Sequence, residues 1–122
     1  MCLKYAELKV AEKDITCYKI YLEFEDKRLV SPYRRKIAPE LGVLTSTELG
    51  KADIYGIVKL GFHSFSKFKD AVKERLGWES NYMPLIAECT IPRNSMYYKG
   101  YFDGMESYCS EYIKLNKLIY TN

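Results

Sequence analysis

The sequence predicts a single α+β domain in which an antiparallel sheet dominates and one main helix covers a face of the sheet. Three observations indicate this class: a strand-type alternation early in the chain, one helix-type repeat near its middle, and several short extended segments towards its end. A chain of 122 residues can bury one core without disulfides or metals. We therefore expect one domain over residues 1–122, with more strand than helix.

The strongest alternation lies in Thr16–Glu25, "TCYKIYLEFE". Apolar side chains alternate there with a second set of residues, namely Cys17, Lys19, Tyr21 and Glu23. Period two predicts a strand with one exposed face, and "EDKR" followed by the extended "LVSPY" completes a hairpin. From Arg34 to Gly50 neither period is present, and one proline and two glycines predict a long connection with room for one short element.

Ile54–Leu60 is predicted as another short strand. The period changes after His63, and the apolar spacing predicts the main helix over about Ser66–Leu76. A hydroxyl residue such as Ser64 stands where a helix cap is needed. Strands are expected again at Pro84–Pro92 and in "NSMYYKG". The last strand is expected at Tyr112–Leu115, with an extension over Leu118–Tyr120.

Composition excludes disordered and fibrous classes, because 48% of the residues are hydrophobic and 29% are charged. The formal net charge of +3 permits attraction to anionic ligands but is small for a dedicated nucleic-acid protein. The expected partner is therefore a nucleotide-like or anionic small molecule, or else a host protein. Nucleic acid is not favoured as a partner.

The cysteines Cys2, Cys17, Cys89 and Cys109 are scattered and form no C-x-x-C pair, and the chain has one histidine. This spacing predicts no metal site. The first ten residues, "MCLKYAELKV", mix acidic and basic side chains where a signal peptide is apolar, and no later run is long enough to cross a bilayer. We expect four reduced thiols in a cytoplasmic protein that does not bind membranes, in preference to two disulfides in a secreted protein.

His63 is the histidine that could serve as a catalytic base, but the chain carries none of the common nucleotide, hydrolase or metalloprotease motifs. A lone histidine more often fills space at a core edge, so we expect His63 to be structural or to line a ligand site. The start of the main helix offers free amides, and Ser64 and His63 would line an anion site there.

Two further segments supply candidate ligand-binding residues. In "SPYRRK", Tyr33 could stack on a base while Arg34 and Arg35 bind phosphate, although a solvated basic loop is the commoner structure. In "SMYYKGYF", Tyr97 and Tyr98 belong to a marked excess of tyrosine, which favours interfaces and ligand contacts as well as strand packing.

The stretch Gly61–Tyr112 contains "GFHSFSKFKDAVKERLGW", then "PLIAECTIP" and "SEYIKL". It resembles the central and final portion of ADP-ribosyltransferase-like domains. The resemblance implies that Ser64 takes the family's hydroxyl position, that Glu111 is the catalytic carboxylate, and that nicotinamide adenine dinucleotide is the cofactor. The first strand offers Lys19 where that family has an arginine or histidine, which fits a domain that binds without reacting.

The combination of "CYKIY", "SPY", "GFHSF", "ECTIP" and "YYKG" also resembles small uncharacterised proteins of phages and gut bacteria. This second resemblance implies a phage-type accessory or anti-defence factor that binds a host factor or a small nucleotide. The sequence thus favours a small non-catalytic binding protein for a nucleotide-like or other anionic ligand, with no cofactor. Two alternatives stay open: an ADP-ribosyltransferase-like enzyme, and a protein-interaction module that inhibits a host protein.

Overall fold

A computed structural model describes residues 2–32, 36–75 and 83–119, and for Met83 only the backbone. Within these residues the chain forms nine strands and one helix. The elements in chain order are β1 (Lys4–Val10), β2 (Ile15–Glu23), β3 (Leu29–Val30), β4 (Thr45–Ser46), β5 (Phe62–Phe65), α1 (Phe68–Arg75), β6 (Met83–Ile91), β7 (Met96–Phe102), β8 (Met105–Ser110) and β9 (Tyr112–Ile119).

Every strand pairing is antiparallel, and the strands follow the order β1-β7-β8-β5-β2-β6-β9-β4 with β3 paired to β2. The sheet does not close, because β1 and β4 lie at its two ends. The mainly antiparallel architecture with one short helix agrees with the expected fold class. Among the described residues, no helix has the length and apolar character needed to cross a membrane.

The centre of the sheet is the long pairing of β2 with β6, which runs without a break from Ile15–Ile91 to Glu23–Met83. The sequence predicts one exposed face for β2, and that prediction is wrong. Tyr21 and Cys17 are buried in one apolar cluster, while Ile20 is buried on the opposite face in a second cluster. Both faces are covered because α1 packs on one side and neighbouring segments of the folded chain pack on the other.

The helix covers its face through Ala71, which is fully buried against Ile20, Phe65 and Ile86. It begins at Phe68, two residues after the predicted start, and is described as far as Arg75. Residue 76, at the predicted end, lies outside the described residues, as does the predicted strand extension at residue 120. The chain between residues 36 and 50 is a connection that contains the short β4, as expected.

The predicted strand over Ile54–Leu60 is wrong. Asp53 Oδ1 accepts hydrogen bonds from the backbone N–H groups of Tyr55 (2.8 Å) and Ile57 (3.0 Å), and these bonds hold a turn in place of a ladder. Only Val58 in this stretch forms an isolated bridge, to Leu3. The strand that precedes the helix is β5 instead, and β1 and β8 are strands that the sequence analysis does not predict.

The edge of β2 that faces away from β6 has two different partners. Near its start, β2 pairs with β5 at Tyr18–Phe65, and near its end it pairs with β3 at Leu22–Val30. Between these two pairings, no ladder pair joins β2 to another described strand on this edge. The sheet is therefore split open beside the middle of β2, and this opening positions the site described below.

Gly61 lies on the rim of this opening with φ +140°, a conformation that L-residues rarely adopt. A Cβ atom there would lie 2.5 Å from Cys109 Sγ and 3.2 Å from the Ser110 carbonyl oxygen. Gly42 also has positive φ (+80°) but has open space around it. An added Cβ would strain the backbone at either glycine, but only at Gly61 would it also collide with packed atoms.

We predict that Gly61→Ala lowers the free energy of unfolding by about 1–3 kcal/mol more than Gly42→Ala does, because only the first substitution overpacks the core. Urea denaturation of both variants measures the difference. Equal losses in the two variants would contradict the close packing of Gly61 against Cys109.

Candidate ligand site

A cavity of about 250 Å³ lies in the opening between β2 and β5. Three parts of the chain supply most of its wall: the middle of β2, β5 with the residues just before it, and the connection that follows β3. The described lining residues are Lys19, Ile20, Tyr21, Ser31, Pro32, Lys36, Ile37, Pro39, Thr47, Glu48, Lys59, Leu60, Gly61, Phe62, His63, Phe65 and Glu74.

Lys19 is the unusual residue of this wall, because only 9% of its surface is exposed. Its ammonium group donates to the His63 carbonyl oxygen at 2.5 Å. The Nζ atom also lies 5.6 Å from the ring centroid of Tyr21 and 5.9 Å from that of Phe62, within the range of cation–π attraction. None of the ion pairs between described residues involves Lys19.

Burial lowers the pKa of Lys19, because the charged ammonium loses its hydration in the interior. The neighbouring thiols Cys89, Cys17 and Cys109 act in the opposite direction, since their ionised forms would favour the ammonium. Burial is the larger effect. A greater share of Lys19 is therefore the neutral amine at a given pH than of an exposed lysine.

Two cysteines near Lys19 lie opposite each other in the central pairing, Cys17 on β2 and Cys89 on β6. The hydrogen bond from Cys89 lowers the pKa of Cys17, with smaller contributions from Ser64 and the Lys19 charge, while burial opposes them. The same hydrogen bond, followed by burial, raises the pKa of Cys89. Lys19 thus has fully buried thiols among its neighbours as well as the open cavity that it lines.

His63 lines the cavity and is held by its neighbours. Its Nε2 lies 2.8 Å from the Lys59 carbonyl oxygen, a distance at which the ring N–H donates to that oxygen. Nε2 also lies 3.7 Å from Cys109 Sγ, on the strand paired with β5. The ring is therefore oriented by the cavity wall, in keeping with the expected structural or ligand-lining role.

Basic side chains outnumber acidic ones around the cavity. Lys36 and Lys59 are exposed, whereas Lys19 is buried, and His63 adds a fourth basic group. Glu48 and Glu74 are the described carboxylates that line it. The balance favours an anionic ligand that also presents hydroxyl or amino groups.

The sequence-predicted residues are distributed unevenly about this site. His63 is in the wall, whereas Ser64 is buried next to Cys17 and is not among the described lining residues. Glu111 lies between β8 and β9, and its Oε1 accepts from the Met96 N–H at 3.3 Å. The structure does not bring Ser64 and Glu111 together in the cavity.

Tyr97 and Tyr98 are buried on opposite faces of β7. Tyr97 packs edge-on against Tyr108, with ring centroids 5.6 Å apart, and Tyr98 belongs to a cluster with Leu3. Neither lines the cavity among the described residues. The predicted ligand residues Tyr33, Arg34 and Arg35 lie outside the described residues, although the residues on either side of them, 32 and 36, line the cavity.

Tyr21, Lys36 and Lys59 are not among the ligand residues predicted from the sequence, and Lys19 enters there only through the ADP-ribosyltransferase resemblance. The sequence pattern could have marked Lys19 as unusual, because it alternates with Cys17 and Tyr21 on a strand face whose other members are largely apolar. Lys36 and Lys59 stand in polar stretches, where lysine is common, so they carried no such signal.

No protein-family model matches the chain, and no curated protein or solved structure is significantly similar to it. The class of site therefore follows from its geometry, which is that of a cavity with basic and aromatic walls. Within the part of the chain that the structure describes, no three His, Cys, Asp or Glu side chains are grouped to hold a metal ion.

We predict that a soluble disulfide reagent modifies one thiol of the native protein quickly and three thiols only on unfolding. Cys2 is partly exposed, whereas Cys17, Cys89 and Cys109 are fully buried. The measurement is the release of chromophore with and without denaturant. Cys2→Ser is the control and should remove the fast phase; a fast thiol that persists in this variant would contradict the burial of the other three.

Proposed function

We propose that this protein is a non-catalytic binding domain for a nucleotide-like or other anionic small molecule, which occupies the cavity between β2 and β5. One observation carries the proposal: a buried lysine, two exposed lysines and a histidine line the same cavity as Tyr21 and Phe62. Concave sites with mostly apolar walls and a few convergent polar groups are the usual form of ligand sites.

A bound anion would relieve an electrostatic cost that the free protein carries. Lys19 is buried against a backbone carbonyl and aromatic faces, and these compensate for lost hydration less fully than an opposite charge does. A phosphate or carboxylate elsewhere in the same cavity would supply that charge without direct contact with Nζ. Lys36 and Lys59 would add attraction from the more exposed side.

The apolar part of the wall suits a planar ring. Phe62 and Phe65 of β5 line the cavity together with Tyr21, and aromatic side chains stack on nucleotide bases without regard to sequence. A volume of about 250 Å³ is at the small end for ligand sites. The size favours a ligand as large as a mononucleotide over a complete dinucleotide.

The ADP-ribosyltransferase-like alternative has less support from this geometry. It requires Ser64 and Glu111 to act on one bound dinucleotide. The Glu111 carboxylate instead accepts from the start of β7, and the pKa of Cys17 is lowered in part by the hydroxyl of Ser64. Catalysis would need a base with a free approach to the ligand, and His63 Nε2 is engaged by the Lys59 carbonyl.

The protein-interaction alternative has one observation in its favour. Tyr5, Ile54 and Tyr55 are 78%, 91% and 75% exposed. The turn after Asp53 lies next to Tyr5, since a Cβ atom built on Gly56 would be 3.6 Å from the Tyr5 Cα. Exposed tyrosines are frequent among the residues that dominate protein interfaces. This patch does not contribute to the cavity, so the two hypotheses can be tested separately.

We predict that mononucleotides, cyclic nucleotides or pyrophosphate raise the melting temperature, since a ligand at one hundred times its Kd adds about 2.7 kcal/mol of apparent stability.

Lys36→Met and Lys59→Met should each weaken binding about two- to fivefold, the effect of losing one exposed charge contact. Thermal shift and titration calorimetry measure both.

Lys73→Met is the matched control, because Lys73 is an exposed lysine of α1 outside the described lining. It should bind as the parent does. If no anion shifts the melting temperature, or if all three variants weaken binding equally, the cavity is not an anion site. The protein-interaction hypothesis, with the exposed Tyr5, Ile54 and Tyr55, would then be favoured. Turnover of nicotinamide adenine dinucleotide that Glu111→Gln abolishes would restore the enzyme alternative.

A further inference from the structure

We propose that Lys19 is a carbonyl-reactive amine, which forms a Schiff base with an aldehyde or ketone group of an anionic ligand in the cavity between β2 and β5. The inference rests on the proposed function, because it concerns the same cavity. It goes further by naming the reacting atom, Lys19 Nζ, and the chemical class of ligand, a carbonyl compound that carries a phosphate or carboxylate.

The amine lies at the cavity wall. Lys19 Nζ lies beside the Tyr21 ring, the Phe62 ring and the His63 carbonyl oxygen, and all three of these residues line the cavity. The ammonium or amine can keep its hydrogen bond to His63 and still face a ligand, because nitrogen has more than one N–H bond. A ligand in the cavity therefore has a short approach to Nζ.

The surroundings of Lys19 favour the nucleophilic form. Only a neutral amine attacks a carbonyl carbon, and lysines that are desolvated in apolar pockets are the ones that proteins use for this chemistry. Burial lowers the pKa of Lys19, and no ion pair among described residues opposes that effect. The titratable neighbours are Cys17 on β2 itself, Cys89 on β6 and Cys109 on β8. Burial helps to hold the Cys89 thiol in its neutral form, whereas the hydrogen bond with Cys89 lowers the pKa of Cys17; burial is still the largest influence on Lys19.

The reaction needs no further reagent. The Nζ lone pair forms a bond to the carbonyl carbon, the carbonyl oxygen takes a proton that leaves nitrogen, and a carbinolamine results. The carbon–oxygen bond then breaks, and the hydroxyl group leaves as water with the second proton from nitrogen, while the nitrogen lone pair forms the carbon–nitrogen double bond. One amine and one carbonyl compound give one imine and one water, with no change of oxidation state.

The exposed and the buried lysines of the cavity have different roles in this proposal. Lys36 and Lys59 are exposed and line the same cavity, so they are placed to attract the anionic part of the ligand. Lys19 is buried and reacts with the carbonyl part. A neutral aldehyde would lack the first contact, so the site should select anionic carbonyl compounds.

Pyridoxal 5′-phosphate and its amine analogue pyridoxamine 5′-phosphate are suitable probes, because both carry the phosphate and only the first carries an aldehyde. The protein is treated with substoichiometric pyridoxal 5′-phosphate, reduced with borohydride, and digested for peptide mapping by mass spectrometry. We expect the reduced adduct at Lys19 with at least tenfold higher occupancy than at Lys36, Lys59 or Lys73. Pyridoxamine 5′-phosphate should bind the native protein and suppress this labelling.

Lys19→Arg keeps the cation and cannot form an imine, so it should lose the adduct. The mapping of the parent protein remains decisive if that variant does not fold. Binding of pyridoxamine 5′-phosphate without a dominant Lys19 adduct from the aldehyde would overturn the inference and leave the proposed function standing. An even spread of adducts over exposed lysines, or equal labelling by phosphate-free pyridoxal, would also overturn it. Failure of both phosphates and of the nucleotides to bind would remove the proposed function itself.

Discussion

The hydrogen bond from the Lys19 ammonium to the His63 carbonyl oxygen joins two strands at the place where their ladder is interrupted. β2 is paired with β6 along its whole length, but on its other edge it pairs with β5 near its start and with β3 near its end. A long side chain that carries several donors can span such an opening, which a short apolar residue cannot do. The remaining features of the site follow from this one contact and from its burial.

The opening would be unfavourable if it exposed only backbone and apolar surface, because buried polar groups need partners and apolar groups favour contact. Here aromatic rings form part of the wall and exposed lysines form another part. The interior thus keeps a cavity of about 250 Å³ beside the best-paired strands of the sheet. One side of the cavity is therefore formed by a strand that is paired without a break along its other edge.

The packing behind the cavity explains why Lys19 is confined. Cys17 and Cys89 face each other across the central pairing, and Cys109 packs against the backbone at Gly61, where no larger residue has room. Lys19 is nevertheless among the residues that line the cavity, and desolvation in this packed interior lowers its pKa.

Periodicity in the sequence determined β2, β6 and the helix, because strong alternation or helical spacing leaves few ways to bury the apolar residues, while residues that favour strands indicated β7 and β9. The prediction failed at Ile54–Leu60, where the Asp53 carboxylate competes for backbone N–H groups, and at β1, whose apolar side chains Leu8 and Val10 remain exposed. Candidate residues were selected by chemical type, and His63 alone of these is found in the described wall of the cavity. Tertiary structure decided the rest of the site: whether a lysine in an alternating strand meets water or a cavity depends on what packs over that strand, and those contacts come from distant parts of the chain.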